Sequence, residues 1–115
     1  MREYRKYNVW EFGHELTLEI YKSTESFPDA EKFGLISQMR RASYSIPSNI
    51  AEGCGRESDA DFKRFLVISR GSAAELEYFL ILSRDLELLN VEQFDLLFDK
   101  VNRVKRSLNN LINKI

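Results

Sequence analysis

The sequence predicts an all-α fold, an up-down-up-down four-helix bundle in a single domain over residues 1–115. Helix breakers are few, since the 115 residues include two prolines and five glycines. Strong helix formers such as Leu, Glu, Lys and Arg are frequent. No alternating apolar and polar run of strand length lies between turn signals. Because the predicted connections are short, successive helices are expected to pack as antiparallel neighbours.

The first two helices are predicted on either side of a break at residues 26–28. Apolar residues recur at helical spacing over residues 9–23: Val9, Phe12, Leu16 and Ile20. Asp29 is expected to cap the second helix, because its side chain can accept a bond from a free backbone N–H. That helix runs over residues 30–53 and stops at a glycine-rich sequence.

Pro47 lies inside the second helix. It has no N–H to donate to the carbonyl of Ser43, and its ring crowds that carbonyl. The polar and apolar stripes keep their phase across the proline. The sequence therefore predicts one helix kinked at Pro47 in preference to two helices that meet there.

The last two helices carry clear start signals. Ser58 is expected to cap the third helix, which runs to about Leu86. Asn90, with Gln93 three residues later, matches a capping box at the start of the fourth. Apolar residues of the fourth helix follow a coiled-coil-like spacing of three and four: Phe94, Leu97, Val101, Val104, Leu108, Leu111 and Ile115.

Composition restricts the classes of function. The net charge of −1 excludes a uniformly basic nucleic-acid binder, so any such binding needs a local patch. The longest apolar run, residues 78–82, is too short to span a membrane, and the start lacks a secretory signal. Cys54 is the only cysteine, which excludes an internal disulfide and predicts a cytoplasmic setting. We expect no metal site and no cofactor, since one cysteine and one histidine cannot build a Cys/His zinc site.

The third helix has two apolar faces. One is the predicted core face: Phe62, Phe65, Leu66, Ser69, Ala73, Leu76, Phe79 and Leu80. A second stripe lies on roughly the opposite side and includes two small residues that would let another helix approach: Val67, Gly71, Ala74, Tyr78, Ile81 and Leu82. A helix of a monomeric bundle needs one buried face. We predict that the second stripe is a subunit interface; the alternative is a wide core face with tolerated surface apolar residues.

A polar stripe borders the apolar face of the second helix. Its members fall within about 80° of one another: Gln38, Arg41, Ser45, Asn49 and Glu52. Such a stripe is usually a hydrogen-bonded network or the edge of an interface. We interpret it as structural, with buried polar pairs whose disruption would cost roughly 3–5 kcal/mol. A ligand or catalytic role is the alternative.

Basic residues form a candidate nucleic-acid-binding surface. Those of the fourth helix lie opposite its apolar seam, and the N-terminus adds three more: Lys100, Arg103, Arg106 and Lys114, with Arg2, Arg5 and Lys6. They could contact phosphates, while Tyr4 and Tyr7 could stack on bases. The alternative is a solvated helix face, or pairing with the acidic row Glu11, Glu15 and Glu19 of the first helix.

The sequence lacks the marks of a familiar catalytic centre. Glu11 and His14 have the Glu-x-x-His spacing of di-metal bundles, but those need two such motifs, and this chain has one histidine. No histidine follows Cys54 to activate it, so it is expected to be an ordinary thiol. The Arg-to-His spacing of some helical-bundle ribonucleases is also missing before His14. We therefore expect that the protein is not an enzyme.

The second helix resembles one family closely. The similarity rests on Phe27-Pro28, Gly34-Leu35, Gln38, Arg41-Ala42 and the segment from Ser45 through Pro47 and Asn49 to Glu52-Gly53, with Gly71-Ser72 and Glu75-Leu76 of the third helix. These residues resemble bacterial four-helix bundle proteins encoded in intervening sequences of 23S ribosomal RNA genes. A related branch is the accessory variability determinant of diversity-generating retroelements. Trp10 fits the family's opening aromatic residue, whereas Gly13 replaces a more usual alanine.

The resemblance implies a ring-shaped homopentamer that binds nucleic acid. The partners it implies are other copies of the chain and RNA, or a nucleic-acid-processing protein such as the reverse transcriptase served by the retroelement branch. Our first hypothesis is accordingly a non-enzymatic homo-oligomer that binds RNA or a nucleic-acid–protein complex. The alternative is a homo-oligomeric protein-interaction scaffold that binds no nucleic acid, and a small ribonuclease ranks third.

Overall fold

Four α-helices make up most of the computed structural model, which describes residues 2–115. They are α1 (Asn8–Thr24), α2 (Ser37–Cys54), α3 (Asp59–Asp85) and α4 (Val91–Asn113). Short 3-10 turns occupy Tyr4–Lys6 and Asp29–Glu31, and a π-helical turn occupies Lys32–Ile36. No strand occurs in residues 2–115, and none of the helices described there has the length and apolar character needed to cross a bilayer. The all-α prediction is confirmed.

Two of the predicted helix starts are confirmed. The Ser58 hydroxyl accepts a hydrogen bond from the Asp61 N–H at 3.1 Å, which begins α3. Before α4, the Asn90 side chain accepts from the Gln93 N–H at 2.8 Å, and the Gln93 side chain accepts from the Asn90 N–H at 3.1 Å. This is the reciprocal pair of bonds that defines a capping box.

The predicted start of the second helix was wrong in its details. Asp29 makes no capping bond; it lies inside a 3-10 turn whose cap position is Pro28. The Pro28 carbonyl already accepts a bond from the Glu31 N–H at 2.9 Å, so the turn begins one residue earlier than predicted. Regular α geometry begins only at Ser37, because the intervening Lys32–Ile36 segment has π-type bonding.

The helices pack in the predicted up-down-up-down order. Each helix packs against its neighbour in the chain, and α1 also packs against α4 to close the bundle. The Ser83 hydroxyl lies 3.4 Å from the Met39 sulfur, which places the start of α2 beside the end of α3. The α1–α2 and α3–α4 connections therefore share one end of the bundle. The N-terminus lies at the other end, where the Arg2 N–H donates to the Cys54 carbonyl at 3.3 Å.

A single apolar core runs along the bundle. The predicted core face of α3 is buried except for Phe79, which is half-buried. The α4 seam is buried from Phe94 to Leu108, while Leu111 is half-buried and Ile112 takes its place inside. The largest fully buried side chains come from all four helices: Leu16, Ile20, Met39, Ile46, Ile50, Phe62, Leu66, Leu76, Leu80, Leu97, Val101 and Leu108.

A hydroxyl from α1 partly replaces the hydrogen bond that Pro47 removes from α2. The helix continues through Pro47 as one element, which confirms the prediction of one helix in preference to two. The kink at Pro47 stays a prediction. The carbonyl of Ser43, which Pro47 cannot reach with an N–H, lies 3.0 Å from the buried Thr17 hydroxyl. The same hydroxyl lies 2.8 Å from the Gly13 carbonyl of its own helix, so its one proton is shared between the two carbonyls. Close approach is possible because Gly13 faces Pro47: a Cβ there would lie 3.4 Å from the proline ring and 3.0 Å from Ile46.

We expect Thr17→Val to lower the free energy of unfolding by about 1–3 kcal/mol, because the buried Ser43 carbonyl would lose its donor. Urea denaturation measures the loss. The same substitution in a Pro47→Ala background should cost clearly less, since an alanine at that position supplies the missing N–H. Equal costs in the two backgrounds would show that the Thr17 hydroxyl does not substitute for the proline.

Candidate binding surfaces

An apolar stripe runs along the outward side of α3. We call it the α3 outer face; it consists of Val67, Gly71, Ala74, Tyr78, Ile81 and Leu82. The first four are exposed, with Val67 at 40% and Tyr78 at 57%, whereas Ile81 and Leu82 are half-buried against the chain's own core. A Cβ added at Gly71 would meet nothing within 4 Å. Space for a close helix approach is therefore open at Gly71.

The α3 outer face is broader than the sequence indicated. Ile68, next to Val67 in the chain, is 41% exposed and was not included in the predicted interface. A core is already complete on the other side of α3, so the exposed members of this face are not needed to fill it. A run of exposed apolar side chains of this kind usually marks a contact between molecules. The interface itself stays a prediction.

The polar stripe of α2 is satisfied mainly by its own helix. The Arg41 guanidinium donates to Gln38 at 3.2 Å and to Glu75 of α3 at 2.9 Å. Ser45 donates to the Arg41 carbonyl, and the Asn49 amide donates to the Ser45 carbonyl, each at 2.7 Å. Glu52 accepts from Arg56 at 2.9 Å. Neighbouring side chains thus satisfy both Arg41 and Glu52.

The same stripe is not a buried network, which corrects the expected energetics. The Glu52 and Arg56 side chains are 54% and 42% exposed, and the Arg41–Glu75 pair is similarly open to solvent. Solvent screens such pairs, so a cost of roughly 3–5 kcal/mol does not apply. A better shielded ion pair lies elsewhere, between Lys105 of α4 and Glu77 of α3 at 3.1 Å. No sequence pattern marks that pair, whose residues are 28 positions apart.

Glu52→Ala should therefore lower the free energy of unfolding by less than about 0.5 kcal/mol, the usual value for an exposed i,i+4 pair. Thermal denaturation followed by circular dichroism measures the change. Glu77→Ala is the matched comparison and should cost more, since it removes the carboxylate that faces the half-buried Lys105. A larger loss for Glu52→Ala than for Glu77→Ala would contradict this assignment.

The basic residues of α4 lie partly beside α1. Lys100, Arg103 and Arg106 line one shallow depression together with Leu96 and Asp99. Arg103 also stacks over the Phe12 ring, with its guanidinium carbon 3.8 Å from the ring centroid. Its nitrogen is 3.7 Å from the Glu15 carboxylate, which confirms one of the pairings considered with the acidic row of the first helix.

The N-terminal basic residues do not all join the α4 surface. Arg2 forms an ion pair with Asp59 and lies over the Phe62 ring, at the corner between α2 and α3. Arg5 donates to Glu3 at 2.9 Å and holds the pKa of the Glu3 carboxyl below its usual range. Within residues 2–115, no carboxylate pairs with the other members of the predicted set: Lys6, Lys100, Arg106 and Lys114.

The two N-terminal tyrosines are engaged within the chain. Tyr4 packs edge-on against Trp10, with ring centroids 5.1 Å apart. Tyr7 packs against Phe62 at 6.0 Å, and both tyrosines are half-buried. They are poorly placed to stack on bases, contrary to the expectation from the sequence. Both rings are half-buried, and the Arg5 guanidinium carbon lies over the Tyr4 ring, 5.4 Å from its centroid, which leaves less ring surface for a base.

The single histidine and the single cysteine have different surroundings. His14 is exposed and stacks on Trp10 at 5.2 Å, and no group of three or more potential metal ligands occurs in the described chain. Cys54 is buried at the end of α2. Burial raises the pKa of its thiol, which Arg2 opposes in part. A thiol with a raised pKa holds less of the reactive thiolate at neutral pH.

Comparisons with known proteins agree with the architecture described above. A search of curated proteins finds no match. Among solved structures, the chain is similar to a protein of unknown function from the S23 ribosomal protein family of Bacteroides thetaiotaomicron. The two share 27% sequence identity and superpose with a TM-score of 0.85, over 91% of this chain and 95% of the other.

Membership of a family is shown by a match that spans most of the sequence. A family model described as 23S rRNA-intervening sequence protein matches residues 5–110, which includes all four helices up to the last turn of α4. The resemblance found at the second helix thus extends over nearly the whole bundle. This chain belongs to the family of 23S rRNA-intervening sequence proteins.

Proposed function

We propose that the protein is a non-enzymatic homo-oligomer, a pentamer, that binds RNA through a basic surface repeated by the assembly. The α3 outer face carries this proposal, because four of its six residues are exposed although the core of the subunit is complete without them. Burying an apolar helix face between subunits is favourable by about 25 cal/mol per Å² of apolar surface removed from water. The number five comes from the family resemblance.

The basic surface on α4 supports the RNA component. Lys100, Arg103 and Arg106 share one depression, and Arg106 and Lys100 have no carboxylate partner in the described chain. One subunit offers too few charges for tight binding at physiological salt. A closed ring would repeat the surface around an axis and raise the affinity without any new type of contact. Binding of this kind rests on phosphates, so it should be weakly selective for sequence.

No catalytic role is assigned to any residue in this proposal. His14 stacks on Trp10 with no carboxylate or thiol in a common cluster, and Cys54 is buried with a raised thiol pKa. The proposal requires no cofactor and no metal. A reducing cytoplasm suits a chain whose only cysteine is a buried thiol.

Arg103→Glu with Arg106→Glu should weaken RNA binding at low salt by about tenfold or more, as two phosphate contacts become repulsive. Fluorescence anisotropy with a labelled single-stranded RNA measures the affinity. The slope of log affinity against log salt should fall by roughly 0.7–0.9 for each lost contact. Light scattering must show that the variant still assembles.

The control reverses an exposed lysine on the π-helical turn that does not line the α4 depression, Lys32→Glu, and should bind RNA nearly as the wild type does. Equal RNA affinity in the α4 variant and the wild type would contradict the RNA component. It would favour the second candidate function, a homo-oligomeric scaffold without nucleic acid. One observation supports that candidate: acidic side chains of the same chain pair with Arg2, Arg5 and Arg103.

A further inference from the structure

Exposed apolar side chains gather at the end of the bundle that carries the α1–α2 and α3–α4 connections. We call residues 25–36 and 84–95 the loop end. Phe33 is 89% exposed on the π-helical turn, Val91 is 70% exposed at the start of α4, and Leu86 is exposed at the end of α3. The two shorter dimensions of the molecule are 24 and 19 Å, which limits how far apart side chains at this end can lie.

The charge of the loop end is strongly negative. Its two segments contain seven acidic side chains and two basic ones, a formal charge of −5 in a chain whose net charge is −1. One of the two bases, Arg84, is paired with Asp85 at 3.0 Å and stacks over Phe94. The remainder of the chain is consequently positive by four charges. The net charge of the protein is small because the negative loop end and the positive remainder of the chain nearly cancel.

Backbone geometry at the loop end shows an acidic residue where glycine is the usual choice. Glu87 has φ +63°, and the Leu88 N–H donates to the Ser83 carbonyl at 2.8 Å, as in the motif that closes many helices. This conformation is less favourable for a residue with a Cβ than for glycine. The chain keeps an exposed carboxylate there in spite of that cost.

From these features we infer that the loop end is a docking surface for a basic amphipathic segment of another protein. Such a segment presents lysines or arginines along one face and apolar side chains along the other. Its apolar face would cover Phe33, Leu86 and Val91, and its cations would meet the surrounding carboxylates. The inference does not depend on the proposed function. The α3 outer face lies on the side of the bundle, and the loop end lies at its tip.

Two other occupants fit the loop end less well. A nucleic acid would bring phosphates to a surface of charge −5, and like charges repel. The opposite end of a second copy lacks the apolar complement. No large apolar side chain is exposed in residues 2–17, 48–66 or 97–115, which form that end. Phe33 and Val91 would remain uncovered against it.

The probe is a fluorescent helical peptide of about four turns with leucines on one face and lysines on the other. Anisotropy at low salt should show binding to the full chain. Phe33→Ser with Val91→Ser should weaken it by about tenfold or more, because apolar burial is lost. Glu25→Lys with Glu87→Lys should weaken it similarly, and that effect should shrink at high salt. An oligolysine of equal length should bind at least about tenfold more weakly than the amphipathic peptide.

Matched controls make the same changes away from the loop end. Leu18→Ser with Tyr44→Ser removes two exposed apolar side chains, and Glu11→Lys with Glu57→Lys reverses two exposed carboxylates. Both variants should bind the peptide as the wild type does. The inference is overturned if the wild type does not bind, if oligolysine binds equally well, or if the controls lose as much affinity as the loop-end variants. End-to-end association of wild-type molecules that Phe33→Ser with Val91→Ser abolishes would also overturn it.

Discussion

Tyr78→Glu or Ala74→Arg, each introduced alone, should convert the assembled protein into single chains of 13.5 kDa. Both positions are exposed on the α3 outer face, so the substitutions leave the core of the subunit intact. In the assembly either substitution would place a charge without a partner at a helix contact, at a cost of several kcal/mol for each subunit. Light scattering at micromolar concentration should give about five chain masses for the wild type and one for either variant.

A control variant separates loss of the interface from general surface damage. Leu18→Glu with Tyr44→Arg introduces the same charges at exposed apolar positions on α1 and α2. It should keep the mass of the wild type. A wild-type protein that is a monomer at micromolar concentration would refute the oligomer, and a control that dissociates as readily as either variant would move the interface away from α3.

Gly53→Val should lower the free energy of unfolding by roughly 3 kcal/mol, the upper end of the usual cost of overpacking a core. Gly53 lies near the end of α2, where α3 passes very close. A Cβ at Gly53 would lie 2.9 Å from the Cβ of Phe65, and 3.3 Å from the ring and from the carbonyl of Phe62. Because these atoms belong to or adjoin the α3 backbone, the helices would have to separate.

Urea denaturation of the variant measures this cost. Ser48→Val is the matched control, since Ser48 is exposed on the same helix, and it should change stability by no more than about 0.5 kcal/mol. A stability loss at Gly53 no greater than that at Ser48 would show that the two helices can adjust without cost. The contact that excludes a side chain at Gly53 would then be unimportant.

The helices themselves could be predicted from the sequence because their signals are local. The capping side chains lie within a few residues of the N–H groups that they bond, as at Ser58, Asn90 and Gln93. The apolar residues of α3 and α4 recur every three or four positions, so one turn of helix is enough to show which face is buried. The start of the second helix was predicted less well. There the chain passes through 3-10 and π turns, whose bonding depends on how residues 27–36 pack on the core.

The sequence predicted which residues belong to each candidate surface. It did not predict which of their charged side chains form ion pairs within the chain. Position along a helix shows which side chains share a face, so the α3 outer face and the basic stripe of α4 followed from spacing. Whether Arg103 meets Glu15, or Arg2 meets Asp59, depends on contacts between residues 88 and 57 positions apart. The exposure of Phe33 depends in the same way on a turn that no sequence pattern marked.

Four helices, their order and the faces they bury follow from the amino-acid sequence alone, because helix formation and burial depend on short-range spacing and on the removal of apolar side chains from water. Tertiary packing was needed to show how the defect at Pro47 is repaired, since the donor comes from Thr17, 26 residues from the Ser43 carbonyl. Packing also concentrates negative charge and exposed apolar side chains at one end of the bundle. It places the α1–α2 and α3–α4 connections side by side, although they are about 50 residues apart in the chain. The spacing of residues along one helix does not show which connections lie next to each other in space.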